Sequence, residues 1–183
     1  MSQDLFKLGH GINTKGKSSP DCALMEWRYN REIARAIVQG LISRGYDAEL
    51  IITETEDVSL QERVNRVNRI ATTHGISDTV LISIHVNAAG NGMKWMNARG
   101  WCAYTFPGHK LRMDYSDGDP DFESSFYILK HTLCTAVLTE NLFMDNQEDC
   151  AFLLSAKGRQ AIIDLHVDGI IAFLNEEEPK PFK

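Results

Sequence analysis

The stretch Asp78 to Val86 constrains the fold more than any other, because Val80-Leu81-Ile82 and Ile84 make it apolar almost without interruption. A strand that is apolar at successive positions is buried on both faces, which is the habit of parallel sheets covered by helices. Parallel neighbours need long crossovers, usually helical. The flanking sequence supplies suitable segments. A short apolar segment runs from Leu5 to Leu8, and further strands are expected at Ala48–Ile52, Gly100–Phe106 and Thr135–Thr139, the last ending at Glu140. Between them, Ser19-Pro20-Asp21 has the chemistry of a helix start, with Ser19 as cap and Pro20 in the first turn. That helix should run to about Gly40 or Gly45. Leu60, Val64, Val67 and Ala71 recur at helical spacing, a short helical stretch is expected at 125–131, and Gly158–Leu174 presents Ile162, Leu165, Gly169 and Phe173 on one face. Strands alternating with such helices indicate an α/β fold: a single domain with a mostly parallel twisted sheet flanked by helices on both faces. Residues 1–175 would form that domain, and 176–183 a charged C-terminal tail. Its ligand site belongs at the C-terminal edge of the strands.

Composition excludes several classes of function. With 43% hydrophobic and 24% charged residues the chain has the make-up of a soluble domain. A net charge of -6 and a pI of about 5.5 lack the cationic footprint of a nucleic-acid binder. No apolar run is long enough for a membrane span, and Met1 to Lys7 has neither a basic leader nor an apolar core. The chain is therefore expected to be cytoplasmic as synthesised. Cys22, Cys102, Cys134 and Cys150 form no CxxC pair, which disfavours a thiolate metal site; free, mostly buried thiols are expected, with a disulfide framework left open.

Three residues with metal-ligating side chains fall at telling places. His10 lies between Gly9 and Gly11 at a strand end, Glu26 shares a helix face with Ile33 and Ile37, and His85 sits near the end of the buried strand. Two imidazoles and a carboxylate suit a catalytic zinc ion with an open fourth position. Singly, each has an ordinary structural reading as a turn, solvated or core residue.

Gly9-His10-Gly11, then Glu26, then Ser83-Ile84-His85-Val86-Asn87-Ala88, then Thr139-Glu140-Asn141-Leu142-Phe143-Met144-Asp145-Asn146 together resemble the zinc N-acetylmuramoyl-L-alanine amidases, with Arg63 and Asn68 also matching. The resemblance covers nearly the whole chain. It implies that His10, Glu26 and His85 bind zinc, that Glu140 is the catalytic carboxylate, and that the substrate is peptidoglycan, cut between N-acetylmuramic acid and L-alanine. A wall enzyme without a leader would be a phage or prophage lysin, acting on the wall after release. One departure is a shortened segment between Phe106 and Leu111, where the family carries a longer stretch. A zinc carboxypeptidase acting on wall peptides is the competing enzyme, but its close His-x-x-Glu pair is absent; a non-catalytic wall-binding module is the competing non-enzyme. The sequence leaves the oligomeric state open.

Other signals read as structural. Asp114, Asp117, Asp119 and Asp121 do not complete a calcium loop and are expected in a solvated or substrate-facing loop. His74, His109, His131 and His166 are expected at the surface or as caps. Trp95, Trp101 and Tyr104 could stack on a sugar, although core or rim packing is the stronger expectation.

Overall fold

The computed structural model describes residues 3–8, 10–14, 16–106, 121–123 and 126–175. His109, Asp114, Asp117, Asp119, the segment between Phe106 and Leu111, and the 176–183 tail lie outside them. Six strands form one sheet: β1 (Gln3–Leu8), β2 (Asp47–Leu50), β3 (Thr79–Asn87), β4 (Trp101–Thr105), β5 (Asp121–Glu123) and β6 (Thr135–Phe143), ordered β2-β1-β3-β6-β4-β5. All neighbouring pairs are parallel except β4 with β6. The mostly parallel α/β sheet read from the sequence is therefore present. Val80, Leu81, Ile82, Ile84 and Val86 of β3 are all buried, as an apolar run between two helical layers requires.

The helices are α1 (Glu26–Ser43), α2 (Leu60–His74), α3 (Tyr127–His131), α4 (Gln147–Leu154) and α5 (Ala156–Leu174). The chain steps from β1 to β2 in one direction and from β2 to β3 in the other. Right-handed crossovers then put α1 and α2 on opposite faces. In agreement, α1 packs against α5, and α2 against α3. The chain reverses direction across the sheet between β1 and β3, and such a switch point opens a crevice at the carboxyl ends of the two strands. Among the described residues, no helix is long and apolar enough to cross a membrane.

Several local expectations are corrected. The first helix begins at Glu26, not near Pro20, with Met25 as its N-cap. Ser19 is spent on a tight turn instead: its hydroxyl donates to Asp21 Oδ1 (2.6 Å) and accepts from the Leu24 N–H (2.9 Å), while Ser18 and Met25 form an antiparallel bridge. Ser and Asp serve turns and helix caps through the same hydrogen bonds, so their order alone does not separate the two. Strand β6 runs past Glu140 to Phe143, with a register shift opposite His85 and Asn87 and Leu142 at φ 64°. Glu140 thus lies inside a strand, next to a bulge that bends the sheet's rim. Asp121 belongs to β5 and not to a loop. The last helix, α5, matches the expected Gly158–Leu174, with α4 preceding it as a separate short helix, but its inward face is Gly158, Ile162, His166, Val167 and Ile170, whereas Leu165 is 42% exposed. On α2, Val64, Val67 and Ala71 are buried as expected, but Leu60 faces solvent. All four cysteines are free thiols; Cys134 and Cys150 are buried, and Cys22 is exposed.

Candidate metal centre

The β1–β3 crevice is where the predicted ligands meet. His10 follows β1 in the left-handed region, at φ 49°, a conformation that costs energy for any residue with a Cβ and needs outside support. The loop behind it is laced to the segment after β2. Ile12 N–H donates to Thr55 O (3.0 Å), Asp57 N–H to Asn13 Oδ1 (2.8 Å), and the Thr14 hydroxyl to Asp57 Oδ2 (3.0 Å). At Gly11 a Cβ would lie 2.1 Å from Asp57 N, so only glycine permits this approach.

Glu26, the first residue of α1, is 1% exposed. Periodicity had placed it beside Ile33 and Ile37, and both are buried with it. Its Oε1 accepts from the Val86 N–H (3.3 Å) and Asn30 Nδ2 (3.3 Å) and lies 3.1 Å from His85 Nδ1. Its Oε2 is buried without a hydrogen-bond partner among the described residues, 3.5 Å from His10 Nε2. Burial is the largest influence on this carboxyl and pushes its pKa up. The hydrogen bond with His85 and the charges of His85, His10 and Lys17 together outweigh it, and the pKa lies below the ordinary carboxylate value. Glu26 is thus held ionised, helped by the positive end of the α1 dipole. The His10 and His85 rings meet edge to face at 5.5 Å, and one potential ligand atom from each of the three residues lies within 4.8 Å of the others.

Glu140 stands beside this cluster and is not part of it. It pairs with His85 in register across β3 and β6, so the two side chains leave the sheet on the same side. On the opposite flank Cys102 of β4 pairs with Glu140.

His166, expected at the surface or as a cap, is instead buried within a polar chain that sequence reasoning missed. Its Nδ1 donates to Ile162 O (2.7 Å), which leaves Nε2 to accept from the Thr139 hydroxyl (2.9 Å). Asn141 Nδ2 donates to Thr139 Oγ1 (3.1 Å) and to His85 O (3.0 Å), and Asn141 Oδ1 accepts from Trp101 Nε1 (3.0 Å). The chain runs from α5 through the β6 bulge to the backbone of a candidate ligand. Its only hint in the sequence was the polar pair Thr139 and Asn141 flanking Glu140. Trp101, although 44% exposed, is anchored by this bond; Trp95 and Tyr104 pack on the core. His74 and His131 are exposed, as expected.

Burial pulls the pKa of His166 below its ordinary 6.5, and the bond to Ile162 O only partly opposes this. Below that pH the unfolded chain takes up a proton that the folded protein refuses, so stability falls on acidification by about 1.4 kcal/mol per pH unit, down to the folded-state pKa. Unfolding free energies of wild type and His166→Gln, measured from pH 7.5 to 5, should run parallel above about pH 6.5 and diverge below it with a slope difference approaching that amount. Equal slopes would show that His166 does not titrate this way.

A mostly parallel α/β sheet thus brings two histidines, and a glutamate from the first turn of α1, together at the carboxyl ends of β1 and β3, a group that could hold a metal ion. The chain belongs to the N-acetylmuramoyl-L-alanine amidase family, Amidase_3, whose family model matches residues 6–172. It is 28% identical over 184 residues to the N-acetylmuramoyl-L-alanine amidase CwlM of Bacillus licheniformis, covering 91% of this chain and 66% of that protein. To the endolysin of Bacillus phage SPP1 it is 24% identical over 151 residues, covering 75% and 54%. The chain thus spans just under two thirds and about half of these relatives. The solved catalytic domain of CwlV, an N-acetylmuramoyl-L-alanine amidase from Bacillus (Paenibacillus) polymyxa var. colistinus, has the same fold, with a TM-score of 0.76 at 20% identity over 96% of this chain and 99% of that one.

Proposed function

We propose that this protein hydrolyses the amide bond between N-acetylmuramic acid and L-alanine of peptidoglycan, with zinc held by His10, Glu26 and His85 and with Glu140 as general base and acid. The convergence of those three side chains carries the reading. The donor set is one that catalytic zinc uses, and the buried Glu26 Oε2, which has no hydrogen-bond donor among the described residues, suits a cation. Bound zinc would supply a Lewis acid that polarises the scissile carbonyl and acidifies water. Glu140, facing the same side as His85, would take the proton from the attacking water and return it to the departing amine of L-alanine. Action on the wall after release from the cytoplasm is part of the same proposal.

Digestion of purified peptidoglycan followed by mass spectrometry of the fragments tests this. The expected products are intact glycan strands and stem peptides with a free L-alanine amino terminus, lost on chelation and restored by zinc. Release of a C-terminal amino acid from the stem would instead make the protein a carboxypeptidase. Zinc-loaded protein that binds the wall and cuts nothing would make it a binding module.

A further inference from the structure

Arg31 is 3% exposed on the inner side of α1, and among the described residues no carboxylate lies within ion-pair distance of it. Its four hydrogen bonds all go to backbone carbonyls. Nε and Nη2 fork onto Glu54 O at 3.0 and 2.7 Å, and Nη1 is shared between His10 O (3.0 Å) and Trp27 O (2.9 Å). Its guanidinium also lies 5.5 Å from the Trp27 ring centroid. Burying a full positive charge is costly, and beside a cation site the cost is higher still, so plain helix packing does not call for arginine here. The bonds say what it accomplishes. One guanidinium ties the carbonyl of His10, whose backbone needs outside support, to the carbonyl of the residue next to Glu26, with Glu54 as the fixed anchor. A planar fork with five donors can span these points at once; an apolar side chain cannot, and an ammonium does so poorly.

We propose that Arg31 is a positioning residue for the metal centre, fixing the His10 backbone against the first turn of α1 and so presetting the spacing of His10 and Glu26. This rests on the reading that those two residues bind the metal. Groups that orient metal ligands are typically worth about ten- to a hundredfold in affinity.

The test is zinc affinity of the metal-free protein, measured by competition with a chromophoric chelator, for wild type, Arg31→Met, His10→Ala and Leu41→Ala. Leu41 is fully buried at the far end of α1, and its truncation destabilises the same helix without touching the centre. Arg31→Met should weaken zinc binding at least tenfold while Leu41→Ala leaves it within twofold. A smaller loss in Arg31→Met, or an equal loss in Leu41→Ala, overturns the proposal. If Arg31→Met fails to fold, Arg31→Lys carries the same threshold, since its single nitrogen cannot bridge Glu54 O and His10 O as the fork does. His10→Ala separates the two readings. Zinc affinity unchanged in that variant removes the metal assignment itself, whereas loss there with none in Arg31→Met removes only the role of Arg31.

Discussion

Glu140→Gln is expected to lower turnover by about a hundred- to ten-thousandfold, the usual contribution of a positioned general acid–base, while zinc content and melting temperature stay near wild type. Glutamine keeps the shape and a hydrogen-bonding group but cannot accept and return a proton at neutral pH. Because Glu140 is paired with His85 inside β6 and lies outside the His10–Glu26–His85 cluster, its change should leave the ligands in place. KM should move much less than kcat, since the lost interaction belongs to the transition state. A purely structural Glu140 predicts the reverse, a lower melting temperature with near-normal turnover. Fragment release, metal content and thermal unfolding of the same preparation decide between them; turnover above about a tenth of wild type with metal retained would sink the assignment.

Glu26→Gln should weaken zinc binding by more than the roughly hundredfold that loss of an outer partner brings, since a ligand itself is altered, and activity should vanish at limiting zinc. The fold should survive. An amide oxygen can still accept from Val86 N–H and Asn30 Nδ2, the two uncharged donors to Glu26. Equilibrium dialysis against zinc, with circular dichroism to confirm the fold, measures this. If the Gln variant held zinc as tightly as wild type, Glu26 would be only a buried counter-charge for the two histidines.

Much of the site was legible because of where its residues sit on regular elements. The apolar run before His85 marked a buried strand, and a residue at the end of such a strand faces the crevice where ligands bind. The spacing of Glu26 from Ile33 and Ile37 put a carboxylate on an inward face, and it is buried there. The role proposed for Glu140 comes from resemblance alone; no spacing singles it out.

The physical line between the two kinds of knowledge runs through polar burial. Sequence by itself determined the layering, because apolar periodicity records directly which faces leave water: β3 within the sheet, α1 and α2 against it. Apart from Glu26, whose spacing marked an inward face, it could not determine which polar groups are buried, since that depends on partners supplied by distant segments. His166 looks like a surface histidine until Thr139 and Ile162 O are brought to its two nitrogens. Arg31 is buried only because the carbonyls of His10 and Glu54 converge on it. Ser19 looks like a helix cap until its hydroxyl closes a turn onto Leu24. The tertiary structure decided these three, because a buried polar group is tolerable only where the fold satisfies its hydrogen bonds.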